Sequence, residues 1–289
     1  MKKIITTVLS ALLLSLCLFN VLAQDDTSKV YDFTAAYSEE ASDMLGFKVK
    51  DGFNVAVING KLSTVSTFGI PVSFVIEDSE ASQYDYALFM LKSAYINENS
   101  LITMKYKLSG GEVLTQDYPI KSKDFALYCV KLPDEEIVSV EIFVNSVQPD
   151  GEMFGVDLDY LRFEKADNFM LLSIDKDIAT VNGEEKKLDS PALIRNDFTL
   201  TPARFVAENA GAKVDWVASE RKVVITKDKT IIELVIDSNI AKVNGQEIVM
   251  DVCPCIINDF TYTPARFVAE NLGCDVNWEP STRTVIIKG

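Results

Sequence analysis

Histidine does not occur in any of the 289 residues. That removes imidazole, the one side chain whose ordinary pKa lies near neutrality. Serine–histidine catalysis, cysteine–histidine catalysis and copper–imidazole sites go with it. No P-loop occurs, and no Gly-x-Gly-x-x-Gly follows a strand, so the usual phosphate cradles are missing too. Positive charge is scarce: 28 Lys and Arg stand against 43 Asp and Glu, a formal net charge of -15. Such a balance disfavours nucleic acid and anionic surfaces as partners. Beyond Leu22 no apolar run is long enough to cross a membrane.

The chain opens Met1-Lys2-Lys3, continues with an apolar run from Ile4 to Leu22, and reaches Val21-Leu22-Ala23 before Gln24-Asp25-Asp26. This is the pattern of a secretory signal peptide over residues 1–23, with cleavage expected after Ala23. It predicts a secreted or extracellular protein, with attachment to the cell wall left open. Cys129, Cys253, Cys255 and Cys274 lie beyond the leader. In an exported chain one disulfide is expected, from Cys274 to Cys253 or Cys255, with buried thiols as the other outcome. A Cys-x-Cys zinc site at Cys253 and Cys255 has no fourth ligand and no histidine to complete it.

One stretch is said twice. Asn196-Asp-Phe-Thr-Leu-Thr-Pro-Ala-Arg-Phe-Val-Ala-Glu-Asn-Ala-Gly211 returns 62 positions on as Asn258-Asp-Phe-Thr-Tyr-Thr-Pro-Ala-Arg-Phe-Val-Ala-Glu-Asn-Leu-Gly273. Val181-Asn182-Gly183 maps onto Val243-Asn244-Gly245, Trp216 onto Trp278 and Arg221 onto Arg283 without a gap. A fixed period fixes the architecture before any single residue is read. Thr201 and Thr263 are suited to cap a helix, with Pro202 and Pro264 at its first position. Gly211 and Gly273 are placed to end it in a left-handed conformation. Val206, Ala207 and Ala210 share one face, with Phe205 on its shoulder. Around the helix, Asn-Gly at 182–183 marks a hairpin, and Lys213–Trp216 and Lys222–Thr226 read as two short strands. Arg204 and Arg266 stand four residues before Glu208 and Glu270, the spacing of an ion pair on a helix. Their recurrence, like that of Trp216 and Trp278, points to a role in the fold.

Taken together, Val-Asn-Gly, Leu188-Asp189, the Thr-x-Thr-Pro-Ala-Arg-Phe-Val-Ala-Glu-Asn-x-Gly helix, Val-x-Trp and the closing Arg-x-Val-x-Ile strand resemble the copper amine oxidase N-terminal-like domain of Gram-positive surface proteins. The resemblance covers about residues 169–289 in two copies. The family form Val-Pro-Leu-Arg is Thr-Pro-Ala-Arg here. In copper amine oxidases this domain is a stalk remote from catalysis. The resemblance therefore implies a small α+β module, an antiparallel sheet around one short helix, and no oxidase chemistry. No Asn-Tyr-Asp or Asn-Tyr-Glu precursor of a quinone cofactor is present either.

Residues 24–165 read differently, as short alternating runs with polar punctuation. Phe53–Ile58, Val72–Ile76, Tyr86–Leu91, Leu101–Leu108, Phe125–Val130, Ile137–Val144 and Phe154–Phe163 are the expected strands. Strands at this spacing without a long helix predict a jelly-roll-type β-sandwich. Tyr106-Lys107-Leu108 running into Gly-Gly and the final Val156-Asp-Leu-Asp-Tyr-Leu-Arg-Phe163 strand resemble carbohydrate-binding-module-like or galactose-binding-like domains, which often carry a structural calcium beside such a strand. Asp157 and Asp159, two residues apart, are expected on one face and are the candidate calcium ligands, against a plain solvated edge. As neighbours on one strand they do not flank a sugar as glycosidase carboxyls do. Among Tyr84, Tyr86, Tyr95, Tyr106 and Tyr128, Tyr84 and Tyr86 follow a polar turn and are the candidate sugar-stacking rings, against a core role.

The sequence thus predicts a mainly β chain with α+β elements: a signal peptide over 1–23, a β-sandwich over 24–165, and tandem repeats within 166–289 (about 169–227 and 231–289). The expected function is non-catalytic binding of a polysaccharide or cell-wall glycan by the sandwich, with the repeats as stalk or docking module. No cofactor is expected beyond a structural calcium. The alternative is an interaction module whose repeats contact a surface protein.

Overall fold

The computed structural model describes residues 28–32, 48–51, 53–58, 61–66, 72–76, 82–93, 96–97, 100–145 and 154–289. Two compact units divide the chain between Glu164 and Lys165, with Cys129–Leu132 clustering with the second.

The first unit is built from β1 (Ser28–Asp32), β2 (Lys48–Asp51), β3 (Phe53–Ile58), β4 (Lys61–Ser66), β5 (Val72–Ile76), β6 (Tyr86–Ser93), β7 (Leu101–Leu108), β8 (Val113–Pro119), β9 (Ala126–Lys131), β10 (Ile137–Asn145) and β11 (Phe154–Glu164). One sheet runs β3-β4-β11-β6-β9, with β1 also paired to β11; the other runs β2-β5-β10-β7-β8. Apart from the β3–β4 and β7–β8 pairs, successive strands move back and forth between the two sheets, the winding of a jelly-roll sandwich. The alternation of β7 decides which way it faces. Ile102, Met104, Tyr106 and Leu108 are buried, while Thr103, Lys105 and Lys107 point the other way. β6 is different: Tyr86 to Leu91 are all buried, the continuous apolar run of a strand covered on both faces.

The second unit contains β12 (Phe169–Ser173), β13 (Ile178–Val181), β14 (Glu184–Lys187), β15 (Leu193–Arg195), β16 (Phe198–Pro202), α1 (Ala203–Asn209), β17 (Lys213–Val217) and β18 (Lys222–Lys227) from the first repeat. The second repeat supplies β19 (Thr230–Val235), β20 (Ile240–Val243), β21 (Gln246–Val249), β22 (Cys255–Ile257), β23 (Phe260–Pro264), α2 (Ala265–Asn271), β24 (Asp275–Glu279) and β25 (Thr284–Lys288). Each repeat has the expected strands, hairpin and short helix. The strands, however, are dealt between sheets. One five-stranded sheet is β14-β13-β12-β25-β24, the other β17-β18-β19-β20-β21, and β15-β16-β23-β22 bridges them. Each five-stranded sheet takes three strands from the front of one repeat and two from the back of the other. In the first, Leu171 faces Ile286; in the second, the equivalent Glu233 faces Val224. The bridging sheet sets Thr201 opposite Thr263, as a two-fold axis between the repeats requires.

One core cluster joins the repeats, with Leu172, Val206 and Ile225 of the first beside Leu234, Val268 and Ile287 of the second. Neither repeat encloses its own apolar face, so the two fold as one body. Ion pairs repeat the exchange: Arg221 reaches Asp237 at 3.2 Å and Arg283 reaches Asp175 at 3.3 Å.

The helix start departs from expectation. Thr201 and Thr263 do not cap it. Pro202 and Pro264 take the cap position, with ψ of 116° and 117° and no side-chain cap hydrogen bond. Because the prolines are themselves extended, the helices begin at Ala203 and Ala265, one residue too late for the threonines to cap them. Both threonines therefore stay in strands, buried, and their hydroxyls lack a hydrogen-bond partner. The other end is as expected: Gly211 and Gly273 have φ of 84° and 85°.

Candidate functional site

The outward face of the β2-β5-β10-β7-β8 sheet presents a grid of side chains. Register places Thr103 between Asp117 on β8 and Phe143 on β10. Lys105 stands between Thr115 and Glu141, and Lys107 between Val113 and Ser139. Facing partners in an antiparallel ladder share a face, so these nine residues form one surface. β8 is the end strand, and its Val113, Thr115 and Asp117 are exposed.

Within the grid the Thr103 hydroxyl donates to the Asp117 carboxylate. The Lys105 ammonium lies 4.2 Å from the centre of the Phe143 ring, a cation–π contact. Two lysines and two acids, Asp117 and Glu141, balance one another here, in a chain of net charge -15. The surface thus combines one flat aromatic ring with hydroxyl, ammonium and carboxylate groups at strand spacing, about 5 Å across the ladder.

The expected stacking tyrosines lie elsewhere. Tyr84 is 7% exposed and stacks on Phe163 at 6.0 Å between centroids; Tyr86 is 2% exposed. Both belong to the interior, Tyr84 against Phe163 of β11 and Tyr86 on the buried β6, and the expectation that they offer open rings is corrected. Tyr106 is buried as well, and burial drives its phenol ionisation far above the ordinary range, with Tyr118 adding to the shift. Tyr128 is half-buried; burial raises its phenol too, against the backbone N–H groups of Lys121 and Ser122, which donate to its oxygen. Tyr95 lies outside the described residues.

Asp157 lies 3.0 Å from the Lys92 ammonium. Between Leu158 and Tyr160 the pairing with β6 slips by one residue, so Asp159 sits in a β-bulge. The strict alternation that would set Asp157 and Asp159 on one face is broken there. A cation at Asp157 would have to displace Lys92. Among the described residues no three His, Cys, Asp or Glu side chains converge as a metal cluster.

Cys129, Cys253, Cys255 and Cys274 are all free thiols. Cys255 packs with Leu200 and Tyr262, whereas Cys274 belongs to the main core of the repeat body, so the expected bridge between them does not form. Burial pushes the Cys274 thiol up, opposed by Lys227. The helix pairs are present: Arg204 meets Glu208 at 3.0 Å and Arg266 meets Glu270 at 3.1 Å, all exposed. Trp216 and Trp278, 42% and 39% exposed, sit on end strands of the two five-stranded sheets and are more open than the half-buried packing expected of them.

The grid residues were not singled out from the sequence. The signal existed in Leu101-Ile-Thr-Met-Lys-Tyr-Lys-Leu108, whose alternation puts Thr103, Lys105 and Lys107 on the open side. For Phe143 the hint was Ser139 and Glu141, which precede it at the same period of two in an otherwise aliphatic run.

The model of the copper amine oxidase N-terminal domain family matches residues 157–222 and again 180–287. The two matches overlap over 180–222; together they cover most of the repeat half and, at their start, the last part of β11. Among solved structures, the chain is similar to a family 29 carbohydrate-binding module from Piromyces equi, at 14% identity over 47% of this chain and 89% of that one, with a TM-score of 0.35. It is also similar to the xylan-binding module CBM86 from Roseburia intestinalis, at 18% identity over 47% and 94% of the two chains, TM-score 0.31. The xylan-binding domain CBM22-1 from Paenibacillus barcinonensis gives 11% identity over 48% and 94%, TM-score 0.34. No curated protein matches the sequence.

Proposed function

We propose that this chain is a secreted, non-catalytic binding protein whose sandwich holds a polysaccharide or cell-wall glycan on the open face of the β2-β5-β10-β7-β8 sheet. The observation that carries the reading is the Phe143 ring set among Thr103, Lys105, Asp117 and Glu141 on that face. A pyranose presents an apolar C–H face and a rim of hydroxyls. A flat ring suits the first, and paired carboxylate and ammonium groups suit the second. The leader over residues 1–23 supports export. The missing histidine supports a binding role over acid–base catalysis. The repeat body serves as stalk.

The test is binding of the chain to a panel of cell-wall and plant polysaccharides, with and without calcium, beside Phe143→Ala. Saturable binding that Phe143→Ala weakens at least tenfold is the expected result. Binding that Phe143→Ala leaves unchanged, or no binding to any member, overturns the reading. A calcium requirement would bring Asp157 and Asp159 forward as cation ligands.

A further inference from the structure

The two repeats supply an internal control. Both must satisfy the same fold, so positions where they differ on the surface are free of that constraint. The contrast is sharpest at the end strands made by the front hairpins. In the first repeat β14 reads Glu184-Glu185-Lys186-Lys187; in the second β21 reads Gln246-Glu247-Ile248-Val249. Charged residues on an end strand guard it against pairing with another chain. The second repeat has lost three of the four, and Val249 is 72% exposed.

The neighbouring face has changed with it. Val249 faces Ile240, and on β19 and β17 Val235 and Val217 lie on the same side, both paired with Lys222. Their counterparts in the first-repeat sheet are Lys187, Ile178, Ser173 and Glu279. An aliphatic row thus reaches the open end of one sheet, interrupted only by Lys222, whose charge is met by Glu220 at 2.7 Å and Glu233 at 2.8 Å.

The backbone of β21 is set to receive a strand. The two-residue Asn244-Gly245 turn makes Val243 and Gln246 a hydrogen-bonded pair. Met250 N–H donates to Asn239 O, in step with that pairing. The N–H and C=O groups of Glu247 and Val249 therefore point out of the sheet, two residues apart, as in any exposed antiparallel edge.

We propose that β21 is a docking edge at which an extended, cationic segment of another protein adds as a sixth strand, setting an aliphatic side chain against Val249 and Ile240. The charge of the chain selects this occupant. At -15 a second copy is repelled, whereas a segment with lysine or arginine at its ends is attracted. Glu247 is the one charge on the strand itself. This inference does not depend on glycan binding by the sandwich.

The probe is the acetylated, amidated peptide Lys-Thr-Val-Thr-Val-Thr-Val-Lys, titrated into the full chain by fluorescence anisotropy, with amide exchange read at Glu247 and Val249. Saturable one-to-one binding that slows exchange at both amides is expected. The double variant I248K/V249K restores residues that the first repeat carries at equivalent positions, so it keeps the fold, which its melting curve checks. It is expected to weaken binding at least tenfold. The mirror variant K186I/K187V is expected to raise the stoichiometry from one to two. No saturable binding, or binding indifferent to I248K/V249K, overturns the proposal. Sedimentation of the chain alone tests the other occupant: self-association that I248K/V249K abolishes would give the edge to a second copy and overturn it as well.

Discussion

The two five-stranded sheets of the repeat body hold the same positions with different surfaces. Inside they are nearly interchangeable: Leu172 and Leu234, Val223 and Val285, Ile225 and Ile287 occupy equivalent core sites. Outside they part, with Lys186 and Lys187 on one end strand and Ile248 and Val249 on the other. The core is bound by packing, because an interior at crystal density leaves no room for drift. The surface is not, so difference there is where function can enter.

The comparison breaks most visibly if the repeats unfold separately. Leu172→Ala and Leu234→Ala should each cost about 2–5 kcal/mol and lower the same unfolding transition, since each leaves a cavity in a shared core. Amide exchange after denaturant titration checks this. Protection lost in only one repeat would mean two independent modules.

A second contrast sets the sandwich against the repeat body. Burial raises the phenol ionisation of Tyr106 well above that of an unfolded tyrosine. A group that holds its proton more tightly when folded contributes stability that is complete below about pH 10 and declines as pH rises past it. The sandwich should therefore lose stability in alkali, with phenolate absorbance rising as it unfolds, and Tyr106→Phe should blunt that loss. An equal alkaline loss in Tyr106→Phe would assign it elsewhere.

Smaller effects sharpen the equivalence of the repeats. Gly211 and Gly273 hold the left-handed conformation with open space where a Cβ would stand, apart from the Lys227 side chain 3.9 Å away at Gly211. Gly211→Ala and Gly273→Ala should each cost about 1 kcal/mol from backbone strain alone. A much larger loss at one of them in thermal melts would reveal an asymmetry that packing does not show. Least of all, Arg204→Ala and Arg266→Ala should change stability by no more than about 0.5 kcal/mol, because both ion pairs are exposed.

Much of the chain was legible before the structure. The repeat, its Asn-Gly hairpins, the helix face of Val206, Ala207 and Ala210, and the terminal glycines are local signals, set by backbone dihedrals and the helical period. So were most sandwich strands. β1, β2, β4 and β8 were not; in β8, Val113–Pro119 is half-exposed along its length, so its sequence carries no apolar alternation. Tyr84 and Tyr86 were misplaced because a polar turn says nothing about which strands close over it. The cap at Thr201 failed because Pro202 itself stays in the strand, so the helix begins one residue later, at Ala203.

The sequence by itself determined that two equivalent α+β units follow a β-rich half, where the helices and most of the strands lie, and that imidazole chemistry has no place here. Only the tertiary structure decided which repeat each strand pairs with, that two repeats make one core, which tyrosines are covered, and which end strand is left open. Period and dihedral preference act between neighbours in sequence. Pairing is settled between segments as far apart as Leu171 and Ile286, where burial of shared apolar surface, absent from either segment alone, chooses the partner.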